Sequence, residues 1–307
     1  MLRIRYLYFW ADFDINYFNF LFKDYNHVIV NDDSYNVLML SVFANSNNYT
    51  NINNNCIKIM YIGEPYYMFN QFLTNTNIVP DIILGYDPDI NKIPVKISLY
   101  YPLWLLEYYN LVVNSEELKK KNKEIFDLYK KKNQKGILIC RHDRNNTRMP
   151  LVNIINKYYQ IDFGGSFKKN INVNIPENEA IWQEKKTEFL RNYLFNVCSE
   201  NIQQTNYNTE KLFHACLSGT IPIYHGFIGE LEKKIFNIDR IINIDSINTN
   251  SLNILENIIL IYKNNPSVLE NDYKKPVFLT ENVEYIKEYR QNIINIVSNY
   301  IKSKILF

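Results

Sequence analysis

Asn196–Gly226 reads NVCSENIQQTNYNTEKLFHACLSGTIPIYHG, and this stretch decides the fold. An apolar run of strand length, Tyr193–Ser199, ends in a polar loop of Asn, Gln, Thr and Tyr. A helix then starts with Thr209 as its N-cap and Glu210 in its first turn, and the strand Ile221–Tyr224 closes the unit. Strand, helix and strand in this order are the repeat of a parallel α/β sheet. In such sheets ligands settle outside the carboxyl ends of the strands, and a helix N-terminus there favours an anion such as a diphosphate. Lys211 opposes the helix dipole. It is either an ordinary surface lysine or a cation set beside a bound anion. Glu200 and Glu210 are either a loop charge and a helix cap or acceptors for ribose hydroxyls. Tyr207 is either one more tyrosine in an aromatic-rich chain or a partner for a base or phosphate.

Working outward, the strand Gly136–Cys140 is followed by Arg141–Arg148, RHDRNNTR. Three arginines at a strand's carboxyl end are either a solvated basic loop or a diphosphate clamp, since a guanidinium grips phosphate oxygens in a fork. His142 has no HxH or HExxH partner and reads as structural. Leu151–Tyr159 forms a helix opening after Pro150, and Gly164-Gly165 follows the strand-like Tyr159–Phe163. A helix is expected over Lys185–Asn192, and two more over Leu252–Lys263 and Asn282–Tyr300.

Upstream, Leu2–Phe9, His27–Val30, Val37–Ser41, Ile57–Ile62 and Ile82–Gly85 have strand length and character, and Ile15–Phe22 resembles a short helix. Glu64 ends the strand in Tyr61–Pro65, YIGEP. It is either a solvated turn glutamate or a general base made effective by partial burial. Ser115–Asn133 is a charged helix or helical linker. The whole predicts an α/β protein of two stacked units, 1–133 and 134–307, with the final helix free to pack back on the first.

Bulk properties narrow the class. The 307 residues are 47% hydrophobic, enough for two cored domains, and the formal charge is +2. So balanced a charge lacks the basic excess of a nucleic-acid binder. The runs Lys119–Lys121 and Lys130–Lys132 read as solvated helix faces. Cys56, Cys140, Cys198 and Cys216 form no CxxC pair, so a zinc site is not expected; the last three sit in apolar runs and read as small hydrophobes. Met1–Trp10 alternates like a strand and lacks the h-region of a signal peptide. No stretch has the roughly 18 apolar residues of a membrane span. A soluble, cytoplasmic protein of a bacterium or of a virus-infected cell is expected.

The stretch Phe195–Gly226 resembles the signature of the α-1,3/4-fucosyltransferases, roughly F-x-L-C-F-E-N, Y-V-T-E-K, a helix, then I-P-I-Y-x-G. Here it stands as FNVCSEN, YNTEK and TIPIYHG. Tyr61–Glu64 is similar to the family's T-G-E-N element, Ile82–Asp87 to its apolar-G-[FY]-D stretch, Arg148 to its arginine after the donor-domain strand, and Gly164-Gly165 to its Gly-rich turn. The resemblance covers nearly the whole chain in order and implies a GT-B fold, two facing Rossmann-like domains with the active site in the cleft. It further implies an acceptor-binding first domain and a GDP-fucose-binding second one. By the same resemblance Arg148 and Lys211 neutralise the diphosphate, Tyr207 and Glu210 contact phosphate and ribose, and Glu200 and Asn201 lie near the fucose. Thr209, Gly164 and Gly165 complete the donor-binding set, and Glu64 is the base.

The implied reaction is an inverting transfer of L-fucose to a GlcNAc- or Glc-containing glycan, with no metal or other cofactor required. Ser199 replaces the aromatic of F-E-N, Pro65 replaces the Asn of G-E-N, and membrane attachment through the basic amphipathic tail of some bacterial members is not expected. Asp87-Pro88-Asp89 lies in the acceptor half, so neither candidate site holds an Asp-x-Asp metal motif. The alternatives are a GT-B transferase using another nucleotide sugar, or an inactive GDP-sugar- or glycan-binding protein.

Overall fold

Short apolar runs buried on both faces form parallel strands, because a strand covered on both sides has no solvent face to fill with polar residues. The computed structural model describes residues 1–10, 13–43, 52, 55–65, 70, 78–86, 95–111, 114–172 and 179–305. Asp87-Pro88-Asp89 lies outside them. Clustering of contacts divides the chain into two units, Met1–Leu103 with Glu284–Phe307, and Trp104–Val283.

The first unit carries β1 (Leu2–Leu7), β2 (His27–Ile29), β3 (Val37–Leu40), β4 (Ile57–Ile62), β5 (Ile82–Gly85) and β6 (Ile97–Tyr100). These lie in the order β2-β1-β3-β4-β5-β6, and every pairing is parallel. All four residues of β3 and of β5 are buried. Ile15–Phe22 is a 3₁₀ helix whose N-cap, Asp14, accepts from the amide of Asn16.

The second unit carries α1 (Trp104–Leu111), α2 (Ser115–Asp127), β7 (Asn133–Leu138), α3 (Met149–Ile155), β8 (Ile161–Phe163), α4 (Glu179–Leu190) and β9 (Tyr193–Val197). It continues with α5 (Glu210–Leu217), β10 (Ile221–Tyr224), α6 (Glu230–Ile235), β11 (Ile242–Asn243), α7 (Thr249–Asn264) and α8 (Pro266–Lys274). Its sheet, again parallel, runs β11-β10-β9-β7-β8. The core is an aliphatic and aromatic cluster that includes Leu138, Leu151, Phe195, Ile223 and Leu255. Beyond it, α9 (Val283–Ile305) returns to the first unit. There Tyr25 Oη donates to Ser298 O at 2.7 Å, and Tyr289 Oη to Tyr100 O at 2.7 Å.

Two sequence expectations change. The boundary expected at 133 falls at 103/104, because Trp104 is fully buried and stacks on Phe213 at 5.9 Å. Asn122 of α2 likewise caps the Val277–Phe278 backbone, accepting from both amides at 3.0 and 2.9 Å. The run Lys130–Lys132 is not wholly solvated either. Lys132 is buried and donates to Arg191 O at 2.8 Å and Ser218 O at 3.1 Å, carbonyls just past the ends of α4 and α5. The negative end of a helix dipole suits a cation. Burial, with Arg240 and Arg191 close by, still lowers the ammonium to about 7.

Candidate functional site

In the second sheet β7 connects outward to β8, and the chain then crosses to β9 on the other side of β7. The loops after β7 and β9 therefore part from one another, and ligands settle at such a switch point. The loop after β7 curls around Asp143. Its Oδ1 accepts from the amides of Thr147 and Arg148 at 3.0 and 3.1 Å, and its Oδ2 from Met149 N at 2.9 Å. This turn ends at the start of α3, where Pro150 needs no amide partner.

The curl turns Arg148 inward. Its side chain is buried, with Nη1 donating to His142 O at 2.7 Å. Its Nη2 donates to Ser199 O at 3.2 Å and to Asn201 Oδ1 at 2.8 Å, so one guanidinium ties the two diverging loops together. Arg141 and Arg144 are exposed. The three-arginine clamp thus narrows to one arginine directed into the switch point.

Behind Arg148 stands Glu200, wholly buried. Its carboxylate accepts from Thr209 N at 2.8 Å, from Thr209 Oγ1 at 2.8 and 2.9 Å, and from Lys211 Nζ at 2.8 Å. The anion beside Lys211 is therefore a side chain of the protein itself, and it offsets the lysine's clash with the dipole of α5. Glu200 is committed to bracing Thr209 and Lys211, so bonding to a sugar or ribose hydroxyl is not open to it in this arrangement. Burial pushes the Lys211 ammonium down, but Glu200 and Glu210 reverse this and hold it above its ordinary value.

Charge continues to alternate along the helix. Glu210 is half-buried, and Lys186 of α4 reaches it at 3.8 Å. Burial raises the Glu210 carboxyl, but Lys211, Lys186 and His214 outweigh this and leave it at about 2. Thr209 is the N-cap, as its sequence position suggests. Tyr207 is buried in the loop before it, after Asn206 takes a left-handed φ of 58°. Gly165 follows β8, and a Cβ there would stand 2.0 Å from Cys140 O, so the Gly164-Gly165 turn lies directly on the end of β7. Glu64 stands apart from these nine in the first unit, half-buried just past β4.

Ser199, in the place of an aromatic, is buried in a polar cluster: its Oγ lies 3.1 Å from Thr147 Oγ1 and 3.3 Å from His225 Nδ1. Burial depresses the His225 imidazole, though Glu200 pulls it upward. Sequence reasoning missed Lys186, which sits in an undistinguished charged run. It also missed Asp143, whose signal was an Asp shortly before a Pro-initiated helix.

Residues 128–270 match the family model described as glycosyltransferase family 10 (fucosyltransferase), C-terminal. This segment belongs to glycosyltransferase family 10. A relative, the alpha-(1,3)-fucosyltransferase FucT of Helicobacter pylori, is 39% identical over 72 residues; the match takes in 24% of this chain and 13% of that one. Among solved structures, an alpha1,3-fucosyltransferase with GDP-fucose aligns over 95% of this chain and 90% of its own, with a TM-score of 0.61 and 19% identity. The same kind of enzyme with GDP aligns over 96% and 90%, with a TM-score of 0.61 and 19% identity. The chain shares their fold, GT-B with two Rossmann-like α/β units, and the family 10 segment contains the switch point bridged by Arg148. Among the described residues no cluster of three or more His, Cys, Asp or Glu could hold a metal ion, and no helix is long and apolar enough to cross a membrane.

Proposed function

We propose that this chain is an inverting fucosyltransferase that moves L-fucose from GDP-fucose to a hydroxyl of a GlcNAc- or Glc-containing glycan, in α-1,3 linkage. The observation that carries the reading is Arg148 bridging the loops after β7 and β9, with the Glu200–Thr209–Lys211 network behind it at the head of α5. Held cations, a helix N-terminus and a switch point form a place built for a diphosphate. The family 10 match supports the class, and the names of the relative and of the solved structures support the donor and the linkage.

In this reading GDP-fucose occupies the second unit. Arg148 and Lys211 take up negative charge as the bond from the anomeric carbon to the GDP oxygen breaks, and no divalent ion is required. Glu210 accepts a ribose hydroxyl, Tyr207 lines the phosphate side, and Asn201, oriented by Arg148, bonds the sugar. Glu200 acts through Thr209 and Lys211. In the first unit Glu64 takes the proton from the acceptor hydroxyl, whose oxygen attacks the face opposite GDP and inverts the centre.

The test offers GDP- and UDP-sugars in EDTA, with and without simple GlcNAc and lactose acceptors, and follows nucleotide release. GDP release from GDP-fucose alone, stimulated by acceptor, is expected. Release from another sugar nucleotide only would move the donor. No release from any donor even with manganese, together with no heat on titrating GDP, would sink the reading.

A further inference from the structure

Three loops of the second unit meet on one buried serine, and the last of them brings a histidine. Past their ends β9 and β10 stay paired: Cys198 N donates to Ile223 O at 3.0 Å, and Glu200 N to His225 O at 2.8 Å. Ser199 and His225 are thereby held side by side, both buried. A Cβ at Gly226 would stand 2.3 Å from Tyr224 Oη and 2.9 Å from Glu200 Cγ, so the loop after β10 is pressed against Glu200 and His225 has little room to withdraw.

Ser199 Oγ lies 3.1 Å from Thr147 Oγ1, 3.2 Å from Glu200 O and 3.3 Å from His225 Nδ1. A serine hydroxyl has one hydrogen and two lone pairs. The carbonyl of Glu200 can only accept, so the serine's hydrogen goes there or to Thr147, and the hydrogen on the histidine contact comes from Nδ1. The neutral imidazole is then the Nδ1–H tautomer, and the lone pair that takes a second proton is on Nε2. An aromatic ring at position 199 would offer Nδ1 no acceptor.

The two permanent cations nearby already have carboxylates, Arg148 at 3.9 Å from Asp143 and Lys211 at 2.8 Å from Glu200. Among the described residues His225 has no such contact. Burial works against a charged imidazole there and Arg148 adds to it. Glu200 and Asp245, past β11, pull the other way, but burial wins and His225 titrates below the ordinary histidine range. A lysine or arginine in this place would be a buried charge without a partner. A histidine stays neutral at no such cost.

A diphosphate changes the balance. Ser199 joins the two side chains, its carbonyl taking Arg148 Nη2 at 3.2 Å and its hydroxyl meeting the imidazole. An anion drawn to Arg148 therefore arrives one residue away from His225, and a negative neighbour favours the protonated ring.

We propose that His225 is a third cation of the donor site, charged only when the donor is bound: binding the diphosphate draws one proton from solvent onto Nε2. This rests on the proposed function and gives Ser199 its role, as the oxygen that orients the imidazole. Linkage is reciprocal, so the proton strengthens donor binding by the same factor as the donor strengthens proton binding.

The test titrates the full chain with GDP-fucose by calorimetry in buffers of different ionisation enthalpy, which counts the protons taken up. The diphosphate diester of this probe has no titration of its own near neutral pH. If the donor raises the imidazole by one unit, wild type should take up about half a proton near about pH 6.5 and bind about tenfold more tightly at about pH 5 than at about pH 8. His225→Gln should lose the uptake and the tenfold gain. His142→Gln, which removes the other imidazole beside Arg148, should keep both. Uptake undiminished in His225→Gln, or abolished in His142→Gln, would overturn the assignment, and the second of these decides even if the first variant does not fold. Wild type that binds GDP-fucose without taking up a proton would overturn it too and leave the donor reading standing. Failure to bind GDP-fucose would remove the proposed function with it, and GDP titrated in parallel shows whether a nucleotide site remains.

Discussion

The two sheets are built alike, each parallel and each with a strand inserted out of sequence order, yet their switch points carry opposite chemistry. In the second unit Glu200, Thr209 and Lys211 lock one another at 2.8 to 2.9 Å, Arg148 ties Ser199 O and Asn201 Oδ1 together at 3.2 and 2.8 Å, and the charged groups are largely buried. In the first, half-exposed rings surround one flank and the carboxylate of Glu64 stands just past β4. A buried charge is tolerable only when paired, so the second site must be assembled before its ligand arrives. The first needs no such assembly, since aromatic faces cost little to hold in place. The comparison teaches that one fold can present a preformed ionic cradle in one unit and an adaptable apolar surface in the other.

The largest effect should come from Glu64. Glu64→Ala should lower the transfer rate by about 10³-fold, within the range expected for losing a general base. GDP affinity by calorimetry should stay near wild type, because Arg148 and the Glu200–Thr209–Lys211 network, the proposed donor site, lie wholly in the other unit. An undiminished rate would remove Glu64 from the chemistry and leave the first unit without a base.

Next in size is the buried pair. Glu200→Gln leaves Lys211 without its closest anion, and losing one partner of a buried ion pair costs about 3–5 kcal/mol. A clear fall in the melting temperature is expected, with most of it recovered in the double variant Glu200→Gln, Lys211→Met. A loss in the single variant below about 1 kcal/mol, the size of a surface pair, would mean that the cradle is not interlocked and that the contrast between the units is only one of composition.

That interlocking was only partly legible from residue order. The strands were legible because Val37–Leu40, Ile82–Gly85 and Tyr193–Val197 are apolar on both faces, and the N-cap was legible because Thr209 precedes Glu210 at the end of a polar loop. What escaped were partners distant in sequence. Glu200 and Lys211 are eleven residues apart and Arg148 and Asn201 fifty-three, and nothing local says that either pair meets. The same cause misplaced the domain boundary: Asn122 lies in a segment that reads as a helix or helical linker, nothing near Trp104 marks a boundary, and their attachment to Val277, Phe278 and Phe213 exists only once the chain has folded back. Lys132 was read as solvated because a lysine run gives no sign of which member faces the carbonyls past two helix ends.

The smallest effect tests how far the ionic alternation extends. Glu210 is held at about 2 in the folded protein: burial works against its charge, but Lys211 and Lys186 outweigh it. In the unfolded chain the same carboxyl titrates near 4.5. Between these values the unfolded state binds more protons than the folded one. The contribution of Glu210 to stability is therefore complete above about pH 4.5 and is lost as the pH falls toward about 2. Lys186→Met removes one of the two ammonium groups and moves the folded value upward. The melting temperature of Lys186→Met should thus fall below that of wild type by its full amount near about pH 6, and the gap should close as the pH nears about 2, where the carboxyl is protonated in both states. A gap that stays constant with pH would mean that Lys186 acts by packing against α5, and that the charged cradle ends at Lys211.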